Sequence, residues 1–131
     1  MKIRDASSFS RCNLYQLALE PTNAHGGEGD VHFHRIATDA NLAGNCNFID
    51  FTSMPPGTTI GKHRHRADEE EFYLILKGTG TMQLGDERFQ VQAGDLVRNP
   101  PGGTHALQNT CLLYTSPSPR DATLSRMPSS A

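Results

Sequence analysis

The chain has 131 residues and a formal charge of −2 at neutral pH, with 36% hydrophobic and 20% charged residues, which bounds it to one domain with a core of its own. That near-neutral balance leaves no basic footprint for nucleic acid or an anionic membrane surface. No apolar run nears the roughly 18–20 residues of a membrane span, and three cysteines without a CxxC pair give neither a disulfide framework nor a zinc ribbon.

The opening "MKIRDASSFSRCNLYQ" lacks the unbroken apolar segment of a signal peptide, so a soluble cytoplasmic protein is expected. Helical periodicity is nearly absent. Only "CNLYQLALE", Cys12–Glu20, fits a turn or two of helix, and it fits a strand equally well. Residues 1–28 read as an N-terminal segment, irregular or an edge strand. After the Gly-rich turn "HGGEG", strands are expected near residues 30–37, 46–54, 71–77, 80–84, 87–92, 95–98 and 104–108, each bounded by Gly, Pro or Asp turn residues. Gly85-Asp86 separates two of them like a hairpin tip. Several short strands in one small domain argue for an antiparallel barrel or sandwich. Cys12 and Cys46 read as small buried residues rather than nucleophiles.

The end of the chain stands apart. "CLLYTSPSPRD" (Cys111–Asp121) and "SRMPSSA" (Ser125–Ala131) resemble, in one reading frame, the translation of a transposase-based sequencing adapter. Ala122–Leu124 falls where an index barcode would sit. Residues 111–131 are therefore read as a non-native tail on a C-terminally truncated domain and take no part in the functional reading.

His63 and His65 are two residues apart, so on a strand they face the same way. Two imidazoles on one face can ligate one divalent metal ion, although a pair of surface histidines would read alike. The chain carries such a pair, His32 and His34 in "HFH", with no acid or further histidine placed after it. That pair is read as structural or surface. The acidic run Asp68–Glu71 lacks the spaced oxygens of a calcium loop.

The surroundings of His63 and His65 are more specific. Gly57, five residues, His63-x-His65, an acid, six residues and Gly78 resemble the first signature of the cupin superfamily. Fifteen residues on, Gly94, five residues, Pro100-x-Gly102, two residues, His105, three residues and Asn109 are similar to the second signature. The resemblance covers about Gly57 to Asn109. It implies an all-β double-stranded β-helix, or jelly-roll barrel, over residues 29–110, with a metal held inside by three histidines and one glutamate. Small cupins commonly dimerise, so a homodimer is expected. Three imidazoles and a carboxylate suit iron, manganese, nickel, copper or zinc rather than calcium or magnesium. Gly57, Gly78, Gly94 and Gly102 fit turns that need unusual dihedrals.

The histidines are then His63, His65 and His105, but the glutamate is contested. Family spacing counted from His65 selects Glu69 or Glu70; six residues counted back from Gly78 select Glu71. The turn-like "RAD" absorbs an inserted residue, whereas one slip in "EFYLILK" would turn every side chain to the other face. The strand count is preferred. Glu71 is taken as the ligand, Glu70 as its alternative and Glu69 as a solvated neighbour. Tyr73 and Ile75 then share the face of Glu71; Phe72, Leu74 and Leu76 lie outside the barrel, against a partner subunit or the N-terminal strand. Lys62 and Arg64 point away from the site, and Asp50 is either a cavity residue or a solvated edge charge. Ligand atoms around one ion should lie roughly 3–4 Å apart, given metal–ligand bonds of about 2.0–2.2 Å. The functional expectation is a small polar molecule, a carboxylate or sugar, bound or turned over at the metal. Dioxygenation, isomerisation or epimerisation and decarboxylation are the enzymatic options, a non-catalytic binding module the alternative.

Overall fold

Turn residues cut this chain into strands too short to stand alone, so each must find its partners at long range. The structure, a computed structural model, describes residues 10–110 and, by its backbone only, the strand Ala122–Pro128. Ten strands run in order: β1 (Glu20–Thr22), β2 (Val31–Thr38), β3 (Cys46–Ser53), β4 (Thr59–Arg64), β5 (Glu71–Ile75), β6 (Thr79–Leu84), β7 (Glu87–Gln92), β8 (Leu96–Asn99), β9 (Thr104–Gln108) and β10 (Ala122–Pro128). They form a six-stranded sheet, β1-β2-β3-β10-β5-β8, and a four-stranded sheet, β4-β9-β6-β7. Every pairing is antiparallel. From β3 onward the chain crosses repeatedly between the sheets and winds around the space they enclose. That is the expected jelly-roll barrel.

The interior follows the pleat. Glu71, Tyr73 and Ile75 of β5 are buried while Phe72 and Leu74 are half-buried on the other face, as strand alternation requires. Tyr73 and Ile75 join Val31, Met54, Ile60 and Met82 in one apolar core. Phe51 of β3 points to the outer face, yet it is only 1% exposed. The N-terminal segment explains this, because the Tyr15 ring meets Phe51 edge-on at 5.9 Å.

Several expectations need correction. Cys12–Glu20 is neither helix nor strand throughout. Leu14–Gln16 makes a single 3₁₀ turn, with the Asn13 side chain accepting a hydrogen bond from the Tyr15 amide, and Glu20 opens β1. Cys12 is exposed, while Cys46 is buried. β1 is an edge strand within residues 1–28, one of the two readings given for that segment, whereas β4 and β10 were not in the expected set. Residues 111–121 and 129–131 lie outside the described residues, but the backbone of Ala122–Pro128 lies between β3 and β5 and pairs with both. Main-chain hydrogen bonding explains how a segment set aside on its sequence takes a strand position, since N–H and C=O groups pair whatever side chains they carry.

Gly57, Gly78, Gly94 and Gly102 have φ values of 81, 82, 94 and 72°, the left-handed region their turn positions implied. Gly61 matters for a different reason. A Cβ there would run into the His25 carbonyl oxygen and the Gly27 amide, because the Gly61 amide donates to the Ala24 carbonyl at 2.9 Å. Only glycine lets the β1–β2 turn lie on β4. Gly61→Ala is accordingly expected to cost about 1–3 kcal/mol of stability through forced backbone movement, read as a lower urea midpoint; an unchanged midpoint would show that the turn yields freely.

Candidate metal centre

The centre starts from the pairing of β4 with β9. His63 and His105 are direct Cα partners in that ladder, after an irregularity between Ile60 and His63. The His65 amide extends the ladder by donating to the Gly103 carbonyl at 3.2 Å. Lys62 and Arg64 alternate outward and are exposed. A turn follows, closed by the Glu69 amide donating to the Arg66 carbonyl at 3.0 Å. The chain then enters the larger sheet at Glu71, opposite Asn99 of β8. Three imidazoles of one sheet thus face one carboxylate of the other.

One ligand atom from each of His63, His65, Glu71 and His105 lies within 4.8 Å of all the others. The Oε1 atom of Glu71 is 2.6 Å from His105 Nε2 and 3.1 Å from His65 Nε2. The spread is wider at both ends than the expected 3–4 Å. His105 is fully buried and Glu71 is 4% exposed. Glu70 points the other way and accepts a hydrogen bond from Arg98 Nε at 2.5 Å. Glu69 accepts one from Asn47 Nδ2 at 2.7 Å. The extra residue is absorbed in the turn, and the strand keeps its register.

Hydrogen bonding fixes one ring. His63 Nδ1 is 2.7 Å from the Gly61 carbonyl oxygen, which can only accept, so Nδ1 carries the hydrogen and Nε2 keeps its lone pair. Burial pushes the His63 imidazole down to about 4, against the pull of the Gly61 carbonyl and helped by the neighbouring histidines. Tyr73, completing the inner face, has its hydroxyl 3.0 Å from His105 Nε2. Burial first, and then the Glu71 carboxylate, hold that hydroxyl protonated well above its usual range.

His25 was missed. Its ring stacks on His63 with centroids 3.5 Å apart and planes 9° from parallel. Sequence showed only a Gly-rich turn, and the stack exists because that turn lies on Gly61 from far along the chain. The "HFH" pair stays outside the cluster; His34 Nδ1 lies 2.9 Å from the Ala18 carbonyl oxygen.

A cavity of about 270 Å³ reaches the centre at His63 and Glu71. Its walls include Val31, Phe33, Phe48 and Ile60, and it is also lined by Arg35 and Asp50. Of the three cluster histidines, His63 alone lines it, and His105 is sealed behind at 0% exposed. Asp50 is a cavity residue, not a solvated charge. Burial pushes its carboxyl up even as Arg35 pulls it down.

Comparison with known proteins agrees with this architecture. The family model described as "Cupin domain" matches residues 50–111. An oxalate-binding protein of Thermotoga maritima is 26% identical over 89 residues, covering 68% of this chain and 73% of that protein. A crystal structure of a predicted oxalate decarboxylase from Thermotoga maritima superposes with a TM-score of 0.79 at 22% identity, covering 92% of this chain and 99% of that one. A cupin 2 conserved barrel domain protein from Rhodopseudomonas palustris gives a TM-score of 0.63 at 22% identity, over 88% and 73% of the two chains. At such identities the structural likeness speaks to the fold.

The His63 shift has a measurable consequence for the metal-free protein. Between its ordinary value of 6.5 and about 4, the unfolded chain takes up a proton at His63 that the folded chain refuses. Stability should therefore fall as pH is lowered through that window. Urea midpoints measured across it should decline less steeply in His63→Asn; an identical slope would place the proton uptake elsewhere.

Proposed function

The chain belongs to the cupin superfamily, and on that premise we propose that it holds a divalent transition-metal ion and, beside it, a small carboxylate-bearing molecule. The observation that carries this reading is the convergence of His63, His65, Glu71 and His105 from two sheets, with ligand atoms within 4.8 Å of one another. Three imidazoles and one carboxylate suit ions of the iron-to-zinc series better than calcium or magnesium, which favour oxygen donors. The fit is supported at His63, whose bond to Gly61 leaves Nε2 as the free lone pair. Burial keeps that ring neutral, as a ligand must be. When bound, the ion would supply Lewis acidity and positive charge for an anionic ligand.

The cavity supports the choice of ligand. At about 270 Å³ it lies just below the roughly 300–1,000 Å³ usual for ligand sites, so it suits a molecule of few carbons. Its walls combine apolar side chains with Arg35 and Asp50, and it meets the centre at His63 and Glu71. The oxalate-binding relative supports a carboxylate in particular.

Metal analysis of the purified full chain tests the reading, with oxalate titrated into the loaded protein by calorimetry. His105→Ala and Glu71→Gln should each weaken metal uptake by more than the roughly 10–100-fold cost of disturbing a residue that only supports a ligand. Glu70→Gln, His32→Ala and His34→Ala should keep full occupancy. Undiminished metal in His105→Ala, or equal loss from the "HFH" variants, would overturn the assignment.

A further inference from the structure

Arg35 is the only lysine or arginine among the described residues lining the cavity that reaches the centre. It sits on β2 directly opposite Asp50 of β3. Its Nε donates to Asp50 Oδ1 at 2.9 Å and its Nη2 to Oδ2 at 3.0 Å. The guanidinium carbon lies 4.1 Å from the centroid of the Phe48 ring. Two contacts therefore fix the group: the fork sets its plane and the aromatic face supports it from one side. The Nη1 atom makes no hydrogen bond with the described residues, and the Arg35 side chain is 36% exposed although that of Asp50 is 12% exposed. One edge of a rigid cation stays available in the cavity.

Stability is a poor reason for this arrangement. A part-buried ion pair roughly breaks even against well-packed apolar residues, and Phe33, Phe48 and Ile60 already furnish an apolar wall. Recognition is a better one. Arg35 balances Asp50, so Glu71 is left as the charge the cavity presents, and a divalent ion at the centre would make the site net positive. A second anionic group on the ligand would then meet the donors of Arg35 that Asp50 does not use.

We propose that Arg35, held by Asp50 and Phe48, is the second anchor of the cavity, binding the far carboxylate of a small dicarboxylate whose near end lies at the His63–His65–Glu71–His105 centre. This rests on the metal-and-carboxylate reading above and narrows its ligand class. Arg35 is thereby a specificity-determining residue, outside both sequence signatures.

The test uses the full chain loaded with Mn²⁺, titrated with malonate, succinate and acetate by calorimetry, with metal content measured on each sample. Wild type should bind at least one dicarboxylate about tenfold or more tighter than acetate, the scale of a charge-assisted pair. Arg35→Gln alone would strand a buried Asp50 charge, so the main variant is Arg35→Gln/Asp50→Asn, which keeps a polar pair. It should lose the dicarboxylate preference while keeping acetate affinity and metal content. Arg35→Lys keeps a charge against Asp50, and hence the fold, but not the fork; it should retain only part of the preference. A preference surviving in both variants, none in wild type, or equal loss for acetate would each overturn the proposal. Normal metal content with no effect of Arg35 would sink this inference alone. Absent metal with Arg35-dependent dicarboxylate binding would sink the metal reading alone.

Discussion

The register of β4 against β9 is the constraint on which the site depends. It sets His63 opposite His105 across two neighbouring strands, and a slip of one residue would send the paired imidazoles to opposite faces. The register is pinned from outside the ladder as well. The Gly103 carbonyl accepts both the His65 amide at 3.2 Å and the Asn99 side-chain amide at 3.1 Å. Asn99, 1% exposed, is in turn the Cα partner of Glu71. One carbonyl therefore ties the histidine strand to the glutamate strand, and the two halves of the centre are held in step. No side chain fits at position 103, because a Cβ there would run into Asn99 Oδ1.

Given that register, electrostatics explains how four polar side chains share one interior. A buried charge is costly unless paired, whereas a buried imidazole escapes the cost by staying neutral. His63 takes that course, pushed down to about 4. Glu71 has two imidazole nitrogens within 3.1 Å of a single oxygen, so its charge is satisfied without solvent. Tyr73 closes the inner side, its hydroxyl kept protonated by burial. The neutral His63 ring, beside a carboxylate paired with two further imidazoles, completes a cluster that could hold a cation.

Most strand positions were legible from alternation and turn residues, and the four convergent residues from the resemblance to the two cupin signatures. Alternation along "EFYLI" turned Glu71 inward with Tyr73 and Ile75, and the turn before it absorbed the extra residue that misaligned the count from His65. Glycines 57, 78, 94 and 102 revealed their positive φ by position alone. The rest depends on contacts between distant segments. His25 lies on His63 only because the β1–β2 turn settles on Gly61, and a Gly-rich turn gives no sign of where it will land. Asp50 was ambiguous because its burial comes from Arg35, 15 residues earlier and directly across a strand pair. The strand Ala122–Pro128 escaped notice because backbone pairing between β3 and β5 makes no demand that composition would reveal.

This division between legible and hidden residues follows the architecture. The histidines and the glutamate lie on β4, on β5, on β9 and beside the turn that leaves β4, where strand ends from both sheets meet and spacing is tightly limited. Arg35 and Asp50 lie on β2 and β3, in the wall of the larger sheet, where many side chains satisfy the same pleat. Changing a residue in that wall alters the cavity's shape and charge without touching the β4–β9 register. Ligand choice can therefore vary independently of the centre. A barrel that keeps one centre while its wall changes is how a single fold comes to serve unlike molecules, so on the proposed reading the wall, rather than the centre, would set which molecule is held.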